Sequence, residues 1–258
     1  MTINFRKFLL LSVIALQISC EEANKENNRT REFPFTAENW IVENEDGTTG
    51  EIQALEYKGK SSIKLEASQK AYLQDKKFKN FVLEFYCNGL SGPGFGFRVQ
   101  DKKNFEYLYL RLGVSGKKDA LQYVPIHNGN LPWQLYNYPK YEGQAIFPRE
   151  KAATLPPDLK DELVAGKASE TLKDFLKEKG FSFSAESEIV LGDDINYIFD
   201  PQEMKALLFK EVDNETTFLD PRTWIHVKVK VNGNAAAFYI EDMNRPALMV
   251  ENLKRDPT

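Results

Sequence analysis

The sequence predicts a mainly β protein, an antiparallel two-sheet β-sandwich carrying a helical insertion. Three observations predict it. From Phe33 onward, apolar residues recur mostly with a period of two. Short runs of that kind are separated by turns rich in Gly, Pro and Asn, and one segment, 150–222, abandons the period for helical spacing. Strands this short and amphipathic bury one face each by packing two sheets together.

The N-terminus precedes that pattern and reads differently. Arg6 and Lys7 lead into an apolar run, Phe8 to Leu16, that ends in Gln17-Ile18-Ser19-Cys20. A charged start, a short apolar stretch and a small residue before the cut describe a secretory signal. The run is far shorter than the roughly 20 apolar residues a spanning helix needs. Following Ser19, Cys20 resembles the acceptor cysteine of a bacterial lipoprotein signal, which implies a lipidated thiol and cleavage just before it. Gln17 departs from the usual Leu, so an ordinary signal with an incidental Cys is the alternative. Glu21-Glu22 resembles the acidic export tag of Bacteroidetes surface lipoproteins. The expectation is export and lipid anchoring to a bacterial membrane, at the outer membrane or cell surface. Residues 1–19 are then the signal and 20–32 a polar tether, "EEANKENNRTRE". The sandwich takes 33–149 and 223–258, and the insertion 150–222.

The elements follow in order. In "NFVLEFYCNG", Phe81, Leu83, Phe85 and Cys87 share one face, and Val82, Glu84 and Tyr86 the other. "GPGFGFRVQD", "NFEYLYLRLG" and "ALQYVPI" follow after turns. In the insertion, "LPPDLKDELVAG" and "SETLKDFLKEKG" have helical spacing, with Gly166 and Gly180 at the stops and Ser169 as N-cap. "FDPQEMKALLFKEV" adds Asp200 as N-cap, Pro201 at the first helical position and Glu203 as capping-box partner. The insertion reads as a lid, a partner surface or an embellishment without a separate role. In "TWIHVKVKVNGNAAAFYIED", Ile225, Val227, Val229 and Val231 oppose Trp224, His226, Lys228 and Lys230, and Asn232-Gly233 suits a tight hairpin turn.

"FVLEFYCNGLSGPGFGFRV" and "WIHVKVKVNGNAAAFYIEDMNRPAL" together resemble the concanavalin A-like jelly roll of laminin-G type, over Phe33–Arg149 and Thr223–Thr258. The resemblance implies a jelly-roll topology. Members usually continue past "NLKRDPT" with closing strands that pair near the N-terminal strand, so an unpaired sheet edge is expected here. "GFGFR" is similar to the "G-x-x-F-R" of a bacterial jelly-roll group that acts on 3-keto-disaccharides, a stretch too short to carry an activity across. Laminin-G-like domains often bind calcium through a loop carboxylate and carbonyls. No diagnostic ligand spacing is present here, and no other cofactor is expected.

Composition narrows the chemistry. A net charge of −4 with dispersed Lys and Arg argues against nucleic acid. Two His and two Cys in the chain, one of them Cys20, argue against a zinc site and an internal disulfide. Laminarinase-type jelly rolls carry Glu-x-Asp-x-x-Glu on one strand, and no strand here does. Glu43, Glu45 and Asp46 sit in a turn-like stretch, Glu241-Asp242 are adjacent, and Asp193-Asp194 lie in the insertion. No Gly-x-Ser-x-Gly elbow accompanies His127 or His226. The reading therefore leans away from an enzyme and assigns no catalytic residue.

What remains is aromatic. On "NFEYLYLRLG", Phe105, Tyr107, Tyr109 and Arg111 share the face opposite Leu108, Leu110 and Leu112. Arg98 is expected to join that outer face, with Tyr123, His127, Asn128, Trp133, Tyr136 and Tyr138 at its rim. Rings beside Arg and Asn suit carbohydrate, because pyranose C–H faces stack on rings while polar groups hydrogen-bond the hydroxyls. The alternative places the rings in a minor core under the insertion. The binding set is thus Arg98, Tyr107, Tyr109, Arg111, Tyr123, His127, Asn128, Trp133 and Tyr136. A glycan-processing hydrolase and a protein-interaction module using the insertion are the other readings.

Overall fold

The computed structural model describes residues 12–17, 30–66, 68–89, 93–159, 169–178, 181–183, 189–191, 209–212, 215–220 and 223–256. Among the described residues strands dominate, and every strand pair is antiparallel. In chain order they begin with β1 (Ser12–Gln17), β2 (Trp40–Glu43), β3 (Thr49–Gly50), β4 (Gln53–Tyr57), β5 (Lys60–Leu65) and β6 (Lys70–Leu73). Then come β7 (Phe81–Gly89), β8 (Gly94–Asp101), β9 (Asn104–Leu110), β10 (Leu121–Tyr123), β11 (Glu142–Gly143) and β12 (Glu150–Thr154). The last are β13 (Phe181–Phe183), β14 (Ile189–Leu191), β15 (Phe209–Val212), β16 (Glu215–Asp220), β17 (Ile225–Asn232), β18 (Ala235–Ile240) and β19 (Leu248–Val250).

Two sheets build the main core. One is seven-stranded, ordered β19-β18-β17-β7-β1-β5-β4, and the other four-stranded, ordered β11-β10-β9-β8. Alternation explains which side chains meet between them. Phe81, Leu83, Phe85 and Cys87 of β7 and Ile225, Val227, Val229 and Val231 of β17 are buried with Leu108, Leu110 and Leu121 from the smaller sheet. Phe95 of β8 lies 5.7 Å from Phe85, and Phe97 lies 6.1 Å from Phe238 of β18, between ring centroids. Cys87, buried among these groups, has its thiol pushed up to about 12 by loss of solvent. It is an inert core residue.

Two expectations need correction. The hairpin between β17 and β18 turns on Gly233-Asn234 rather than Asn232-Gly233: Asn232 still pairs with Ala235, and Gly233 takes the positive φ of 54°. The Gly233 N–H donates to Asn80 Oδ1 at 2.8 Å, which pulls the turn one residue along. Second, the segment 150–222 is mostly strand among its described residues. Helix α1 (Glu170–Glu178) does form, with the Leu172 N–H donating to Ser169 Oγ at 3.1 Å as an N-cap. However, β12 pairs with β16, and β16 with β15, so Phe209–Val212 is strand where a helix was expected. Pairing of β15 with β16, from Phe209 beside Phe218 to Val212 beside Glu215, overrides the local helical signal. Gly166, Gly180, Asp193, Asp194, Asp200, Pro201 and Glu203 lie outside the described residues, as do Cys20, most of the tether and Thr258. Ser12–Gln17, within the stretch read as a signal, forms the strand between β5 and β7.

One end of both sheets is closed by a charged clasp. Glu106 of β9 is fully buried. Its carboxylate accepts the Arg255 N–H at 2.6 Å and the Tyr123 hydroxyl, and the Arg255 guanidinium donates to the carbonyls of Phe105 and Ile126. Arg98 donates to the carbonyls of Arg255 and Gly233 and to Asn234 Oδ1, so the clasp reaches the β17–β18 turn of the other sheet. Removing one member of a buried ionic group leaves the rest uncompensated. Arg255→Ala is therefore expected to cost about 3–5 kcal/mol in urea unfolding. The neighbouring exposed Lys254→Ala is expected to stay within about 0.5 kcal/mol. Equal effects from the two would refute the clasp.

Candidate functional site

The outward face of the four-stranded sheet carries the candidate site. Backbone register sets it out in rows. Glu142 of β11 stands beside Gln122 of β10, Gln122 beside Tyr109 of β9, and Tyr109 beside Gly94 of β8. In the next row Tyr107 stands beside Gly96, and the Val124 N–H donates to the Tyr107 carbonyl at 2.9 Å. Leu121 and Gly143 point the other way, into the core, where a side chain at Gly143 would strike Leu248. Glu142, Gln122, Tyr109 and Tyr107 therefore share the outer side.

The two glycines of β8 are what let the rings lie down. A side chain at Gly94 would collide with the Tyr107 hydroxyl, and one at Gly96 would come within 3.1 Å of the Phe105 ring. Tyr107 thus lies over Gly94, and its ring stacks on Tyr109 with centroids 6.2 Å apart and planes 20° from parallel. Phe105 meets Tyr107 edge-on at 6.1 Å. Tyr107 and Tyr109 are half-buried, while Phe105 is buried but outside the main core. Arg111, at the end of the same face, is half-buried and held by an ion pair with Asp119.

A loop with a 3-10 turn, Trp133–Tyr136, rises beside this face. Leu131, Trp133, Leu135 and Tyr138 are exposed on it, Trp133 by 44%. Four large apolar side chains in eight residues are too many for an inert loop tip. Tyr136 anchors the loop, its ring 6.0 Å from Tyr123 and 5.0 Å from Tyr141. The Gln122 amide donates to the Tyr136 carbonyl at 3.4 Å, tying the turn to the row of Glu142, Gln122 and Tyr109.

Several residues expected at the site are elsewhere. Arg98 is buried in the clasp, because the β8–β9 register breaks after Phe97 and Arg98 takes a left-handed φ of 48°. That bulge swings Arg98 inward and leaves Val99 38% exposed. Tyr123 is fully buried, its hydroxyl on Glu106. His127 and Asn128 are exposed at the clasp end: His127 Nδ1 lies 3.2 Å from Arg255, and the Asn128 N–H donates to Asn104 Oδ1 at 3.1 Å. Asn128 has a φ of 51°, a turn conformation that Asn tolerates well. The structure thus brings together Tyr107, Tyr109 and Arg111 on one face, with Trp133 and Tyr136 on the loop tied to Gln122. Sequence reasoning missed Gln122 and Glu142. Strict alternation in "LQY" was enough to place Gln122 outward, whereas Glu142 lies on a two-residue strand with no periodicity to read.

Comparison with known protein families, curated proteins and solved structures finds no match.

Burial sets the proton chemistry of the rings. It raises the Tyr107 phenol, and it raises that of Tyr123, where the hydrogen bond to Glu106 adds to the shift. Tyr72 is pushed up to about 12 by burial and by Glu43. A raised phenol keeps its full stabilising contribution below the unfolded value of about 10 and loses it as pH rises toward the folded value. In a titration read at 295 nm, Tyr107 and Tyr123 are expected to ionise only as far-UV circular dichroism is lost. Ionisation of all eleven tyrosines near pH 10 in a folded chain would contradict this.

Proposed function

We propose that this chain is an exported, lipid-anchored protein that binds carbohydrate through the outer face of its four-stranded sheet. The fold proposed to carry that face is a concanavalin A-like jelly-roll sandwich. One observation carries the binding reading: the Tyr107 ring lies over Gly94 and stacks against Tyr109, with amide and carboxylate groups in the next positions of the row. Pyranose rings present flat C–H faces ringed by hydroxyls, the chemistry such an arrangement matches. Trp133 on the adjoining loop supplies a further exposed ring. The anchoring part rests on the sequence, with Cys20 as the lipidated residue and a bacterial outer membrane or cell surface as the location.

The hydrolase reading is less well supported. It needs two carboxylates free to act on one bond. Among the described residues, of the carboxylates placed around the rings Asp119 is already engaged by Arg111, which leaves Glu142.

Affinity electrophoresis of the full chain through a panel of plant, algal and host polysaccharides tests the binding reading. Retardation by at least one glycan is expected, reduced about 10-fold or more by Tyr109→Ala, since stacking contacts of this kind are worth ~1–3 kcal/mol. Trp133→Ala is expected to weaken it as well. A folded chain that no glycan retards would rule the binding reading out. The anchor is tested separately by labelling cells with radioactive palmitate. Label is expected in the native chain and absent from Cys20→Ala; its absence from both would remove the lipoprotein assignment.

A further inference from the structure

We propose that Glu142 and Gln122 are the polar receptor of the ring face, taking the hydroxyls of a neutral sugar unit stacked on Tyr109 and excluding anionic glycans. The inference rests on the carbohydrate reading of the same face. Glu142 is 7% exposed, and neither carboxylate oxygen has a hydrogen-bond partner. A carboxylate held out of water without donors is costly to the folded chain, and almost all buried polar groups in proteins are satisfied. Nothing in its own strand pair relieves it. Gln122 beside it gives its amide N–H to Tyr136, and Arg111 on the same face is committed to Asp119.

The position of Glu142 says what it lacks. It stands two places from Tyr109 in one cross-strand row, with the Gln122 amide between them. Gln122 and Glu142 are 2% and 7% exposed, so a sugar whose C–H face lies on the Tyr109 ring brings its edge hydroxyls to that amide and carboxylate only as the side chains covering them move aside. Two neighbouring hydroxyls can donate to the two carboxylate oxygens, a pairing in which the charge strengthens both bonds. Gln122 both donates and accepts, and its present bond to the Tyr136 carbonyl, at 3.4 Å, is long enough that a sugar hydroxyl replaces it at small cost. An unpaired buried carboxylate repels a uronate or sulfate group strongly, because little solvent screens the two charges. Selectivity for uncharged units follows.

The test compares the full chain with Glu142→Gln and Gln122→Met in affinity electrophoresis, using neutral β-glucan and xylan alongside polygalacturonate. Removing an uncompensated charge is expected to raise the melting temperature of Glu142→Gln while cutting its affinity for the neutral glycan 10-fold or more. Gln122→Met is expected to bind several-fold more weakly, and the native chain to ignore polygalacturonate. Unchanged binding in Glu142→Gln and Gln122→Met, with loss in Tyr109→Ala, would overturn this inference and leave the platform standing. Retention by polygalacturonate alone would do the same. A native chain that binds none of these glycans, neutral or anionic, overturns the inference. If Tyr109→Ala also leaves every other glycan interaction untouched, the platform reading falls with it.

Discussion

The buried carboxylate of Glu106 organises one whole end of this molecule. It sits on the core side of β9, in line with Leu108 and Leu110, where an ionised group survives only if its surroundings supply donors. Arg255 and Tyr123 supply them, and Arg98 in turn donates to the Arg255 carbonyl. The chain after β19 is therefore pinned under the smaller sheet, and the β17–β18 turn is pinned with it. The bulge at Arg98 and the burial of Tyr123 follow from the same demand.

That demand separates two faces of one sheet. Residues drawn toward Glu106 leave the outer surface, and Tyr107 and Tyr109, which face away from it, stay behind with Gln122 and Glu142. The glycines of β8 complete the separation, since any side chain at Gly94 would take the space of the Tyr107 ring. The two carboxylates differ accordingly. Glu106 is held by protein donors and is structural; Glu142, two strands away on the edge strand β11, has no hydrogen-bond partner for either carboxylate oxygen.

The alternating strands were legible in the sequence because burial on a two-residue period leaves a direct trace. Phe81 to Cys87 and Ile225 to Val231 face the core as that period requires. The Tyr107–Tyr109 face was legible for the same reason. Arg98 and Tyr123 were not, because the first depends on a bulge and the second on a partner 17 residues away, neither of which alternation encodes. The segment 150–222 misled through its composition. Its helical spacing is genuine at Glu170–Glu178, but β15 and β16 are decided by pairing with each other. Glu142 left no pattern because a strand of two residues has none.

The place of β1 has a kinetic meaning. Its partners in β7 are synthesised about 70 residues later, which at ~5–20 residues per second is a delay of several seconds. During that interval Ser12–Gln17 has no strand of β7 to join, so the seven-stranded sheet closes only after β7 is made. Without β1, β5 and β7 would be left as facing edges one strand apart, an opening shaped for an extended segment running antiparallel to both.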